Sequence, residues 1–209
     1  MKGPAPDLLT FERSLWRKGL RRVAGVDEAG RGCLFGPVVA AAVVLDPQRD
    51  ASAFRDSKTL SERRREILFE TVTSAGHEWA VGVVSAQEID STDILRAALR
   101  AMALAIGGLA SVPDAALVDG PHRPDLPCLT EAVIHGDALS SSIAAASIVA
   151  KVWRDRMVRD LDRCYPGYGL ARHKGYGTRE HLAALRNLGP TPLHRRTFRG
   201  VTRGAPDAH

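Results

Sequence analysis

The chain has 209 residues, 44% hydrophobic and 25% charged, enough for one well-buried core and short for two independent ones. It contains no apolar run of about eighteen residues, and its beginning, with Pro4, Asp7, Glu12 and Arg13, lacks the apolar stretch of a signal peptide. A membrane-spanning or secreted protein is therefore not expected, and a soluble cytoplasmic one is. The formal charge of +5 favours an acidic partner. From Arg172 onward eight basic residues (Arg172, Lys174, Arg179, Arg186, Arg195, Arg196, Arg199, Arg203) stand against two acids (Glu180, Asp207), a concentration that suits a phosphate backbone but also describes a solvated basic tail.

In chain order, a polar leader precedes a short apolar strand at Val23 to Val26. Pro37 to Leu45, nearly all Val and Ala, predicts a strand covered on both faces, and the two are joined by the glycine-rich stretch Ala29 to Gly36. Asp56 to Leu60 reads as a loop, and Ser61 followed by Glu62 and Glu66 starts a capped helix running to about Ser74. A strand at Trp79 to Ser85, a helix over Ile89 to Leu109, and strands at Ala115 to Val118 and Ala132 to Ile134 follow. Ser140 to about Arg163 is the longest expected helix. Beyond Tyr165 to Gly169 comes a basic, glycine-punctuated loop, then a short helix near Thr178 to Leu188 and a flexible tail after about residue 201. Helices alternating with strands around one core predict a layered α/β or α+β arrangement. Cys33, Cys128 and Cys164 lie far apart without a C-x-x-C pair, which argues against a disulfide framework or a zinc knuckle.

The chemistry-bearing residues are acids next to glycine where apolar strands run out: Asp27-Glu28 before Ala29-Gly30, Asp119 before Gly120, and Asp137 after Gly136. Taken singly, each reads as a turn or a helix cap. Taken together, carboxylates gathered at strand ends repel one another unless cations neutralise them, and carboxylate oxygen is the donor that Mg²⁺ and Mn²⁺ prefer. Such a cluster supports two-metal hydrolysis of a phosphodiester. Gly30-Arg31-Gly32 allows backbone to approach a sugar or phosphate, or is a plain turn. Lys58 is a point charge for phosphate or a solvated loop lysine, and Tyr176 is a nucleotide-stacking ring or one packed under its loop. The small-residue run Ser142 to Ser147 reads as a close-packed helix face without chemistry.

Together, Gly25-Val26-Asp27-Glu28-Ala29-Gly30-Arg31-Gly32 with Gly36 to Val39, Asp56 to Ser61, Val118-Asp119-Gly120, Gly136-Asp137 with Ser142 to Lys151, and His173 to Thr178 resemble bacterial ribonuclease HII, in order and spacing, from about Val23 to Leu188. The resemblance implies a ribonuclease-H-like α/β fold with a central mixed sheet flanked by helices. It also implies one domain with a core over about 21–165, a basic substrate-binding segment over about 166–200 and a helical C-terminal part.

It further implies that Asp27, Glu28, Asp119 and Asp137 are the catalytic, metal-binding set for two Mn²⁺ or Mg²⁺ ions, and that Gly30, Arg31, Gly32, Lys58 and Tyr176 bind substrate. The implied substrates are RNA/DNA hybrids and duplex DNA containing ribonucleotides, cut 5′ of a ribonucleotide to leave a 3′-hydroxyl and a 5′-phosphate. A monomer is expected, and a partner such as a sliding clamp is not specified. Only 26 residues precede Asp27, leaving no expected room for the extra N-terminal domain of the sister family, ribonuclease HIII.

The chain departs from the family pattern at His135 and Leu139, where lysines are usual, at Ser141, and at Cys33 and Phe35 beside the glycine loop. These positions bear on affinity, salt dependence or metal preference. Two other readings compete: a nuclease of related fold acting on DNA, and a hybrid-binding module without catalysis.

Overall fold

The computed structural model describes residues 7–47, 54, 60–74 and 76–202. Its centre is a five-stranded sheet of β1 (Val23–Ala29), β2 (Val38–Val44), β3 (Glu78–Val84), β4 (Ala115–Asp119) and β5 (Leu129–Val133), in the order β3-β2-β1-β4-β5. Strands β1 to β3 pair antiparallel, while β4 pairs parallel with both β1 and β5, so the sheet is mixed. Every residue of β2 is buried, as its unbroken Val and Ala composition predicts for a strand with helices on both faces.

Alternation along β1 divides the core. Ala24 and Val26 point to one layer, where α3 (Ala86–Ser91) and α4 (Ile94–Gly107) contribute Ile89, Ala97, Ala101 and Ala105. Val23 faces the other layer, where Ile143 of α6 (Ser141–Cys164) and Leu15 of α1 (Thr10–Arg17) pack against it. Leu68, Phe69 and Val72 of α2 (Glu62–Ser74) close this layer over Ala41 and Val43. The small-residue run is what lets α6 approach: a Cβ on Gly25 would lie 2.0 Å from the carbonyl carbon of Ser142.

Several boundaries differ from expectation for local reasons. The polar leader contains α1, fixed because buried Glu12 accepts hydrogen bonds from the Ser140 and Ser142 hydroxyls and the Ser142 N–H at 2.6, 2.7 and 3.0 Å. The single helix expected over Ile89 to Leu109 is two, because the Asp93 carboxylate accepts from Arg96 N–H at 2.8 Å and so caps a new start. Strand β5 begins at Leu129, earlier than Ala132. Two one-turn helices are added, α5 (Gly136–Leu139) in a stretch given no element and α7 (Leu170–His173) in one expected as a loop, and α8 (Arg179–Leu188) starts where Thr178 caps it. No helix among the described residues is long and apolar enough to cross a membrane.

The C-terminal segment is knitted to the glycine loop. Leu34 N–H donates to Gly175 O at 2.8 Å on one side, while Arg195 N–H donates to Leu34 O and Gly36 N–H to Leu193 O, both at 2.9 Å, on the other. Two wholly buried guanidinium groups hold the joint. Arg154 donates to the carbonyls of Pro37, Lys174 and Phe35 at 3.1, 2.9 and 3.0 Å. Arg195 donates to Gly36 O at 3.0 Å and Arg31 O at 2.9 Å. The Arg154→Met substitution leaves three carbonyls without their donor, so it is expected to cost on the order of 3 kcal/mol, read as a lower denaturant midpoint at unchanged slope. A wild-type midpoint would show that the guanidinium does not hold this joint.

Candidate active site

Parallel pairing decides where the acids go. Val26 lies opposite Val118, the last pair of the β1/β4 register, so Asp119, which closes β4, comes beside Asp27. Asp27 lies inside β1, because that strand runs on to Ala29 against β2 rather than ending at Val26 as expected. Strands stand ~4.8 Å apart, and both side chains take the parity of the layer that α6 covers. Asp119 Oδ1 accepts the N–H of Gly136 at 2.7 Å, which ties it to the turn carrying Asp137. That turn uses a left-handed residue other than glycine, His135 at φ 58°, and Asp137 follows in the first turn of α5, 2% exposed.

A cleft of about 350 Å³ opens here, lined by Asp27, Glu28, Ala29, Gly30 and Asp119, by Ser147, Ile148 and Lys151 of α6, by Arg65 of α2, and by Tyr176. Asp137 is not part of that lining. Burial raises the Asp27 carboxyl well above its usual range, and the charges of Glu28 and Asp119 raise it further, against the opposing hydrogen bond from Ser147. Glu28 is raised chiefly by burial, opposed by Arg31, whose Nη1 lies 3.1 Å from Glu28 Oε1, and raised again by Asp119.

The donor chemistry fits a hard divalent cation: carboxylate oxygens crowded enough to resist ionisation. Among the described residues no three acidic, imidazole or thiol groups close on one point.

The glycine loop contains two different glycines. Gly30 has φ +97°, and a Cβ there would lie 2.0 Å from Nε of Arg154, so the fold itself requires it. Nothing lies within 4 Å of a Cβ on Gly32, an exposed residue next to the cleft-lining part of the loop but not itself in the lining. Arg31 is half exposed and tied to Glu28, and Tyr176 is 43% exposed with Lys151 Nζ 5.4 Å from its ring centre. Lys151 also pairs with Asp155 at 2.8 Å. Lys58 lies outside the described residues.

Sequence reasoning missed Ser147, Lys151 and Arg65 as cleft residues. Ser147, Lys151 and Arg154 recur at helical spacing, the first two within the small and apolar first half of α6, which was the available signal. Of the basic C-terminal residues expected to face phosphate, Arg195 is internal and Arg172 pairs with Glu180. Cys33 and Phe35 are buried, Cys33 bridging to Tyr176 and the Phe35 ring meeting His194 edge-on at 4.9 Å.

A sequence model described as ribonuclease HII matches residues 24–201. The chain belongs to the ribonuclease HII family. It is 50% identical over 200 residues to ribonuclease HII of Syntrophotalea carbinolica, covering 95% of this chain and 96% of that one. To the Geobacter metallireducens protein of the same name it is 52% identical over 194 residues, covering 93% and 91%.

Among solved structures, ribonuclease H2 of Pyrococcus horikoshii superposes with a TM-score of 0.70 at 29% identity, covering 86% of this chain and 95% of that one. Ribonuclease HII of Archaeoglobus fulgidus, solved as a complex with PCNA, gives 0.72 at 27%, covering 88% and 98%. The fold is therefore the ribonuclease-H-like α/β fold expected, and the protein is a ribonuclease H, a metal-dependent endoribonuclease. Membership removes the non-catalytic binding module as a competing reading.

The raised Asp27 carboxyl has a stability consequence of definite sign. Its contribution is fully present below the unfolded value of 3.8 and is lost as pH rises through the higher folded value, so above that unfolded value the resistance of the carboxyl to ionisation opposes folding. Asp27→Asn is therefore expected to raise the melting temperature of chelator-treated protein at neutral pH and to flatten its pH dependence, a tenfold change in proton affinity being worth ~1.4 kcal/mol. The same variant should lose the stabilisation that Mn²⁺ gives the parent. An unchanged or lower melting temperature without metal would contradict the repulsion argument.

Proposed function

We propose that this ribonuclease H hydrolyses the RNA strand of RNA/DNA hybrids and nicks duplex DNA on the 5′ side of an embedded ribonucleotide, leaving a 3′-hydroxyl and a 5′-phosphate. The observation that carries the reading is the sharing of one cleft by Asp27 and Asp119, neighbours on adjacent strands, with the glycine loop and the exposed ring of Tyr176. Acids alone would suit any phosphodiester. A glycine-lined backbone beside them suits recognition of a 2′-hydroxyl, the group that separates RNA from DNA.

In this reading Asp27, Glu28, Asp119 and Asp137 hold the cations. Two ions of the Mg²⁺ or Mn²⁺ type, when bound, supply Lewis-acid stabilisation of charge on the scissile phosphate and a water activated for in-line attack. Asp119 is held for this work by the Gly136 N–H, and Asp27 by Ser147. Arg31, half exposed and paired with Glu28, is placed to present its guanidinium to the substrate backbone, and the cations, when bound, would supply neutralisation of Glu28 in its stead.

Lys151 and Arg65 place positive charge on the cleft wall where nucleic-acid phosphates pass, and Lys58 is assigned the same task through the family resemblance. Gly32 presents its backbone to the ribose, and the Tyr176 ring stacks at the RNA–DNA junction. Docking on a sliding clamp is proposed from the Archaeoglobus complex, with the enzyme acting as a monomer; size-exclusion chromatography with and without the clamp tests both.

The central experiment is cleavage of an end-labelled duplex containing one ribonucleotide, with Mn²⁺, Mg²⁺ or chelator, beside an all-deoxy duplex and an RNA/DNA hybrid. Metal-dependent nicking 5′ of the ribonucleotide with the all-deoxy duplex intact is expected, and equal cutting of the all-deoxy duplex would instead favour a DNA nuclease.

The two glycines should also separate. Gly32→Ala folds normally yet loses roughly tenfold or more in kcat/KM on the single-ribonucleotide duplex, an added methyl obstructing close backbone approach. Gly30→Ala loses stability as well, since its Cβ meets Arg154. Full activity of Gly32→Ala would remove the loop from substrate contact.

A further inference from the structure

Beneath Tyr176 lies a set of imidazoles that the proposed chemistry does not use. His181 and His194 are 0% and 1% exposed, yet neither faces a carboxylate among the hydrogen bonds of the described residues. Their hydrogen-bond directions can be read from groups whose role is fixed. The backbone N–H of Thr191 lies 3.0 Å from Nδ1 of His194, and an N–H can only donate, so Nδ1 accepts. The Thr191 hydroxyl, 2.9 Å away, itself accepts the N–H of Leu193 at 3.3 Å and is free to donate to the same nitrogen.

The His194 proton therefore sits on Nε2, which lies 3.0 Å from Nε2 of His181. That nitrogen of His181 must accept. Its own proton is left on Nδ1, 2.9 Å from the carbonyl oxygen of Tyr176.

We propose that His181, its tautomer set by His194, is a positioning residue for Tyr176, acting through the hydrogen bond at the end of this one-way chain that it donates to the Tyr176 carbonyl. The inference rests on the reading of Tyr176 as the residue that meets the ribonucleotide junction.

The rest of the turn is held in the same style. His173 accepts the Gly175 N–H at Nδ1 (3.3 Å), meets Tyr168 O through Nε2 (2.8 Å), and stacks on His181 with ring centres 4.5 Å apart. Tyr176 N–H donates to His173 O at 2.9 Å, and Thr178 N–H shares the Tyr176 carbonyl at 2.8 Å. The backbone of Tyr176 is thus fixed while its ring remains 43% exposed to the cleft, the pre-organisation that a reader of one sugar–base step needs.

Burial keeps the chain in its neutral form, since it pushes His194 down to about 4 and His181 below its ordinary value. A second proton on His194 would point N–H at the Thr191 N–H, and a second proton on His181 would set two N–H groups against each other.

The direction of the chain supplies the test. Asn at position 181 can place an amide donor near the original Nδ1, whereas Gln extends its polar group toward the original Nε2 and leaves the Tyr176 carbonyl without that donor. The two differ by one methylene, and a role limited to filling the interior would not favour the shorter side chain.

On the single-ribonucleotide duplex, His181→Gln is expected to lose roughly tenfold or more in kcat/KM, because small misplacements of a positioned group are costly, while His181→Asn stays within about threefold of the parent. The same pair is then compared in a Tyr176→Ala background, where they should be equal if the chain acts through that residue. Thermal melts of all variants accompany the kinetics.

Equal losses in the two variants with Tyr176 present, or a His181→Gln defect undiminished in the Tyr176→Ala background, would overturn the inference. A Tyr176→Ala enzyme as active as the parent would remove the junction reading itself, an outcome visible before any histidine is changed.

Discussion

The constraint on which the molecule turns is the parallel register of β1 against β4. Once Val26 stands opposite Val118, the two following aspartates lie on adjacent strands beneath the same helix, and their charges have nowhere to separate. The consequence appears in Asp27, whose carboxyl is raised by burial and then by Glu28 and Asp119. A site of this kind is destabilising to the empty protein, and a buried arrangement of like charge persists only where the surrounding packing over-determines it. Here that packing is the approach of α6 over Gly25, too close to admit any side chain at that position.

The second organising feature is the use of buried arginines as backbone clasps. Arg154 and Arg195 spend their donors on five carbonyls drawn from the glycine loop, its exit toward β2 and the turn before Tyr176. A planar guanidinium can bind several carbonyls at fixed angles, which a lysine cannot do. The two halves of the cleft, the loop beside the acids and the segment bearing Tyr176, are therefore one mechanical piece. Charge that looks like a nucleic-acid footprint in the linear sequence is partly internal hardware. The surface charge that lines the cleft comes instead from Lys151 on α6 and Arg65 on α2.

Much of the architecture was legible from pattern. The unbroken Val and Ala run of β2 announced a strand buried on both faces, the Ser61 cap placed the start of α2, and the short helix expected near Thr178 to Leu188 is α8. Where pattern failed, a local competitor had won. Asp93 interrupted a helical run by capping its own α4, and α1 was hidden in a polar stretch because its anchor, Glu12, is a buried acid whose serine partners lie far along the chain. The one-turn helices α5 and α7 are too short for any periodicity to register.

By itself the sequence determined which residues could carry the chemistry, since acids beside glycine where apolar runs stop, and the order and spacing of the motif segments, resemble ribonuclease HII without coordinates. It also determined most of the elements, because capping and the period of apolar residues are local properties of the chain. What only the tertiary structure decided is which residues meet. Asp27 and Asp119 converge through a register between strands far apart in sequence, Lys151 and Arg65 enter the cleft from separate helices, and Arg195 turns inward to bind the loop that contains Arg31. Hydrogen-bond register and helix packing are long-range choices made by the whole core, so no window of sequence contains them.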